Sequence, residues 1–160
     1  SNFFDGVITD APKHAHMMLS GGEPTMADEH YDLLQKYIDS GQSSNMTIEY
    51  NINLTNIPER ALAIWKHFKI VNLGTSIDGV GKINDFVRYP SKWRIIERNI
   101  DLLDTIDMPQ LNPWFTVTLT AYNIYYLADI VQFSIITSLV NGSFGFEKTA
   151  TFSGGCFWCM

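Results

Sequence analysis

The sequence predicts an α/β fold of about four strand–helix units on a parallel sheet. Three observations carry this reading. Short apolar or β-branched runs alternate with amphipathic helical patterns along the 160 residues. The segments between successive runs are long enough for helices, and such crossovers make neighbouring strands parallel. Each run also ends in glycine or polar residues, which suits the ligand-binding edge of a parallel sheet. The pattern fits an open α/β sheet or part of a β/α barrel.

Taken in order, the first strand is expected over His14 to Ser20. The segment Thr25-Met26-Ala27-Asp28 reads as a capping box opening a helix. Tyr31, Leu34 and Ile38 give that helix its apolar face, widened by Leu33 and Tyr37, and Gly41 is its stop. Met46 to Ile52 is the second strand. Pro58 then opens a helix as a first-turn residue, with Leu62, Trp65 and Phe68 on its apolar face. Ile70 to Ile77 is the third strand, closed by Asp78-Gly79. Ser91 is the expected cap of a helix faced by Trp93, Ile96, Ile100 and Leu103. Trp114 to Thr120 is the fourth strand, and a last helix is expected from Ile124 to Ser138.

Composition narrows the class. Apolar residues make up 46% and charged residues 18%, a globular balance rather than a disordered one. The net charge of −6 and the lack of a basic run argue against nucleic acid as a partner. The apolar segment 124–140 contains Asp129 and Gln132 and falls short of the roughly 20 residues a membrane span needs, so a buried helix is expected and no membrane partner. The start of the chain has no basic leader pattern and no Met, which is the expectation for a chain beginning within a gene. The 2 Cys are Cys156 and Cys159. Their scarcity points to a reducing, cytoplasmic setting.

The strand ends hold the candidate site residues. Gly21-Gly22-Glu23-Pro24 joins a backbone without side-chain bulk to one carboxylate, and Pro24 ends the ladder. That combination suits an ammonium group or another donor-rich ligand, although a Gly-Gly turn with a solvated Glu has the same sequence. Asn51 and Asn53 follow the second strand, Ser76, Asp78 and Gly79 the third, and Thr120, Tyr122 and Asn123 the fourth. Each has a plain alternative as a turn residue, and Arg88 one as a surface arginine. No metal site is expected. His14 and His16 would share a strand face, but no cysteine or carboxylate cluster accompanies them.

The order Leu19-Ser20-Gly21-Gly22-Glu23-Pro24, Tyr50 to Thr55, Ser76-Ile77-Asp78-Gly79-Val80-Gly81, Phe86 to Trp93 and Thr118 to Leu127 resembles radical S-adenosylmethionine proteins of the type that carries a shortened twitch region. The resemblance covers residues 14–138. It implies a fragment of a parallel, partial TIM-like β/α barrel and S-adenosylmethionine as a small-molecule cofactor, with an unknown substrate. It implies that Gly21, Gly22 and Glu23, in the segment closed by Pro24, hold the amino group of the cofactor's methionyl part. Ser76 and Asp78 would lie by the cofactor or substrate, and Asn51 and Asn53 would face the same cavity. The family holds a [4Fe–4S] cluster through three cysteines in a C-x3-C-x2-C loop, expected upstream of Gly21. No cysteine precedes Cys156, so the ligands are absent here and the chain is expected to be inactive alone, as a truncated piece or a cluster-less relative.

The last residues, 139–160, form an irregular tail of different character. Thr149 to Met160 resembles the start of A-type peptide-methionine sulfoxide reductases, in which the first cysteine of Gly-Cys-Phe-Trp-Cys is the nucleophile; Cys156 matches it. The downstream reductase domain does not follow. A fused or misread gene boundary is therefore expected, with a domain at 1–138 and an unrelated tail at 139–160. Two other readings stay open: a sulfoxide reductase fragment with Cys156 catalytic, and a non-catalytic α/β binding module.

Overall fold

The structure, a computed structural model, describes residues 15–141. Four parallel strands form one sheet in chain order: β1 (His16–Leu19), β2 (Thr47–Ile52), β3 (Ile70–Ser76) and β4 (Leu111–Thr116). Helices alternate with them: α1 (Asp28–Asp39), α2 (Glu59–Trp65), α3 (Lys82–Val87), α4 (Trp93–Thr105) and α5 (Leu127–Asn141). The α/β fold read from the sequence is therefore the one observed. β1 pairs with β2 from His16↔Thr47 to Leu19↔Tyr50. Pro113 lies in β4, an edge strand, where its missing N–H need not break a ladder.

The chain divides into two compact units. The first holds β1, α1, β2 and α2, with β3 up to Leu73 and Met108–Asn112. Ile48, Tyr50 and Ile52 point from β2 into its core, while Thr47, Glu49 and Asn51 alternate onto a half-exposed face. Tyr31, Leu34 and Tyr37 of α1 and Ala61, Ile64 and Trp65 of α2 are buried as well. The Tyr50 and Trp65 rings meet in a tilted contact at 5.4 Å. Arg60 lies 4.7 Å above the Tyr31 ring and bridges Asp28 and Asp32 at the surface.

Among the described residues, the second unit holds Asn53–Asn56, Gly74–Asp107 and 113–141. Trp93, Ile96, Ile100 and Leu103 of α4 are buried, as their spacing predicts. Asn99 is buried on the same face and donates 2.8 Å to the carbonyl of Leu54, a residue held at φ 55. The short α3 has no legible period in the sequence. Gly79 makes room for it: a Cβ there would lie 2.8 Å from the backbone nitrogen of Asn84.

Several local expectations are corrected. Thr25 does not cap α1. It lies in a 3-10 turn, Pro24–Met26, its hydroxyl donates to Glu23, and Ala27 occupies the cap position. Pro58 precedes the first turn of α2 instead of lying within it. Ser91 does not cap α4. Lys92 stands at the cap, and the Asp85 carboxylate accepts the Trp93 N–H. β4 begins three residues before Trp114 and stops at Thr116. The β-branched run beyond it reads as strand, but side chains of Asp78 and Asn123 take its backbone groups.

The last helix is not wholly buried. Ile130, Ser134 and Thr137 are buried, whereas Val131 is 43% and Ile136 50% exposed. Among the described residues no helix is long and apolar enough to cross a membrane. His14 and the tail from residue 142, including Cys156 and Cys159, lie outside the described residues.

His30 gives the first unit a pH dependence. Burial lowers its pKa below 6.5; the bond to the Ala27 carbonyl opposes this, Arg60 adds to it, and Asp28 and Glu29 oppose it. The folded state then binds fewer protons than the unfolded one across the window below 6.5. Stability is full above that pH and falls as the pH drops through the folded pKa. Urea unfolding at pH 7.5 and pH 5 should show the loss, and His30→Gln should flatten it. An unchanged difference in the variant would remove His30 as the cause.

Candidate functional site

Gly21-Gly22-Glu23-Pro24 leaves β1 within the first unit, two residues beyond the Leu19↔Tyr50 pair. Gly21 has φ +155, a conformation L side chains rarely adopt, and added Cβ atoms at Gly21 and Gly22 would meet nothing within 4 Å. The main chain is therefore approachable there, as the two glycines predict. Glu23 is half-buried, and its Oε1 accepts the Thr25 hydroxyl at 3.0 Å. Thr25 is buried and its carbonyl accepts the Tyr31 hydroxyl at 2.8 Å. The carboxylate is thus oriented by a chain of two hydrogen bonds rooted in α1. Pro24 opens the 3-10 turn and is buried.

The second unit contains an open groove of about 990 Å³. It gathers residues that follow three strands: Asn53 and Thr55 after β2, Asp78 after β3, and Thr118, Thr120 and Tyr122 after β4. The connection from α3 to α4 completes it with Phe86 through Lys92. Asp78 organises its floor. One carboxylate oxygen accepts Arg88 Nη1 at 2.6 Å and the other accepts the Thr118 N–H at 2.8 Å. The Asp78 N–H donates 3.0 Å to Asn84 Oδ1, and the Asp78 carbonyl accepts Asn123 Nδ2 at 3.0 Å. Arg88 also donates through Nη2 to Asn53 Oδ1.

Of the residues singled out in the sequence, Asn53 and Asp78 therefore line one groove and share Arg88. Ser76 does not line it; its hydroxyl pairs with that of Thr116 at 3.3 Å. Asn51 lies half-exposed on β2 and is not a lining residue either. Arg88 is not a plain surface arginine, since its side chain is 21% exposed and bound to Asp78. Sequence reasoning missed Asn84 and Thr118. The only signal for Asn84 was its place one turn after Asp78-Gly79. Thr118 contributes its backbone, which no side-chain pattern announces.

Among the described residues no group of three or more His, Cys, Asp or Glu could hold a metal ion. These residues do not fit a [4Fe–4S] cluster, and two cysteines cannot supply the three thiolates of the expected loop.

The sequence matches no family model and no curated protein. It is similar in structure to native anSMEcpe with bound AdoMet and the Cp18Cys peptide, and to native anSMEcpe with bound AdoMet. For each the identity is 18% and the TM-score 0.65, over 84% of this chain and 38% of that one. Polyhistidine-tagged anSMEcpe with bound AdoMet is similar at 18% identity and a TM-score of 0.56, over 80% and 36%. At that identity the likeness shows the fold alone, an α/β fold that fits a partial barrel. The chain spans 38% of the length of the native anSMEcpe chains.

Removing Asp78 should leave a largely buried guanidinium without its counter-charge. Asp78→Ala is expected to lower stability by about 3–5 kcal/mol, the range for breaking a buried pair. Asn53→Ala, which leaves the ion pair in place, should cost less. Urea titration checks both, and equal small losses would make the pair energetically minor.

Proposed function

We propose that this chain is part of a radical S-adenosylmethionine protein and that it binds S-adenosylmethionine at Gly21, Gly22 and Glu23. The observation that carries the reading is the end of β1. Two unobstructed glycines are followed at once by a carboxylate that Thr25 and Tyr31 hold in place. An ammonium group has three donors and a positive charge, and a carboxylate on an open backbone is its natural acceptor. The AdoMet bound by the anSMEcpe structures supports the same ligand.

In this reading Gly21 and Gly22 bring the methionyl end against the main chain. Glu23 receives its ammonium group, and Pro24 fixes the turn that follows. Asn51 is a proposed polar contact of the first unit. Asn53, Ser76 and Asp78 are proposed to face cofactor or substrate in the second. S-adenosylmethionine supplies radical chemistry through its reductive cleavage. That cleavage would need an electron from a reduced iron–sulfur cluster, and the thiolates to hold such a cluster would have to come from outside the described residues. We therefore propose binding without cleavage for this chain by itself.

Calorimetry should show weak binding of S-adenosylmethionine. Glu23→Ala should weaken it roughly tenfold or more, since a hydrogen bond to a charged group contributes about 1.5–3 kcal/mol. Thr25→Val should weaken it less, because the carboxylate remains and only its orientation loosens. Identical titrations of all three proteins, or no heat from any, would remove Glu23 from the cofactor's site.

The division between residues 1–138 and 139–160 belongs to the same proposal, with the tail as an unrelated piece resembling a methionine sulfoxide reductase. Cys156 should react with iodoacetamide, yet the chain should not reduce methionine sulfoxide with a dithiol, because a thiol nucleophile needs a formed pocket. Turnover abolished by Cys156→Ser would make the tail the functional part.

A further inference from the structure

We infer that the outer face of α5 is a docking surface for a segment of this same chain, residues 144–152, which packs along it in extended form. Such docking involves neither Gly21 to Glu23 nor the strand ends, so it stands apart from the cofactor reading.

The helix is the wrong way round for one that meets only solvent on its outside. Its buried positions include two hydroxyl residues, Ser134 and Thr137, which donate to the Ile130 and Phe133 carbonyls one turn back. Its exposed positions are apolar: Val131 is 43%, Ile135 42% and Ile136 50% exposed. With Leu127, Ala128 and Gln132 they line an open groove of about 520 Å³ along the helix. Gln132 is the only polar side chain in that lining. A helix apolar on all sides is one covered on all sides, and a contiguous apolar patch marks a contact surface.

The chain itself supplies the cover. From Ser143 to Ser153 the sequence alternates with a period of two. Phe144, Phe146, Ala150 and Phe152 fall on one side of an extended segment, and small or polar residues fall on the other. Gly142 directly follows Asn141, the last residue of α5, and a glycine at that point lets a chain reverse. Phe146 lies five residues beyond Asn141, a reach of up to about 17 Å, while the stretch from Ile135 to Val131 lies about 9–15 Å back along the helix axis.

Spacing and charge select one register. Successive inward residues of an extended segment are about 6.6 Å apart, and four residues of helix advance about 6 Å. A segment with a period of two therefore matches an i, i+4 stripe step for step. Running back toward Leu127, Phe144 meets Ile136, and Phe146 lies between Val131 and Ile135. Lys148, the one charge on the inward side, then comes level with Asp129. Asp129 is exposed and is the only charged residue of α5. A surface pair of this kind adds little stability but favours one alignment over others.

The test is paramagnetic broadening in the amide NMR spectrum of the full chain. A nitroxide is placed on Thr149→Cys, on the outward side of the segment, in a chain whose Cys156 and Cys159 are replaced by serine. It should broaden the amides of residues 127–136 more than those of β4. Phe146→Asp should abolish most of that broadening while the amide shifts of β1 to β4 stay in place. Lys148→Glu should reduce it, and adding Asp129→Lys to that chain should restore it. No broadening of 127–136, strongest broadening at residues 111–116, or broadening that survives Phe146→Asp would overturn the inference. So would equal broadening when isotope-labelled chains are mixed with separate spin-labelled ones, since the occupant would then be a second copy.

Discussion

The burial of one carboxylate, Asp78, constrains the far end of this sheet more than any apolar contact does. A buried charge must be paired and hydrogen-bonded, or it costs several kcal/mol. Asp78 meets that demand with a guanidinium from the α3–α4 connection and a backbone amide beyond β4. Its own backbone is held in turn by the side chains of Asn84 and Asn123. Four partners from two separate stretches of sequence, 84–88 and 118–123, are therefore tied to one residue. Gly79 follows from this arrangement. With Asp78 N–H bound to Asn84 Oδ1, α3 lies so close that a Cβ at position 79 would strike its backbone.

The same constraint explains how far the sequence could be read. Strands β2 and β3 and the helices α1 and α4 follow from their own residues, because alternation and a 3.6-residue period need no distant partner. The buried faces of α1 and α4 are those that the spacing of Tyr31, Leu34, Trp93, Ile96, Ile100 and Leu103 predicts. The end of β4 is different. Val117, Thr118 and Thr120 have strand propensity, yet Asp78 and Asn123 claim the backbone there. Propensity is local, and one competitor, Asp78, comes from 40 residues away, while Asn123 acts from three to five residues beyond. Caps failed for a related reason. Thr25 and Ser91 have the right chemistry to cap a helix, but Glu23 engages the first, and Asp85 supplies the bond expected of the second.

The candidate site was legible in its parts but not in its wiring. Asn53 and Asp78 stood out as polar residues after strands, and both line the groove. Arg88, which joins them, looked like surface charge, because nothing in the chain near it announces a partner ten residues before and another 35 before. The orientation of Glu23 was equally hidden. Its support comes from Thr25 and Tyr31, residues that pattern assigns to a cap and to an apolar face.

The strands carry a polar face as well as an apolar one. Along β2 the buried side is apolar, while Thr47, Glu49 and Asn51 alternate onto the other side. Glu49 pairs there with His16 at 3.1 Å. Asn72 and Asn112 bond at 3.0 Å, and Ser76 meets Thr116 at 3.3 Å. If this face served only to cover a second apolar layer, Val, Ile and Leu would suit it better, since each buried polar pair is at best a small net gain. Amides, hydroxyls, one imidazole and one carboxylate stand there instead, paired with one another. The local cores of the two units are apolar, and the polar residues lie on the strand positions that alternate with them.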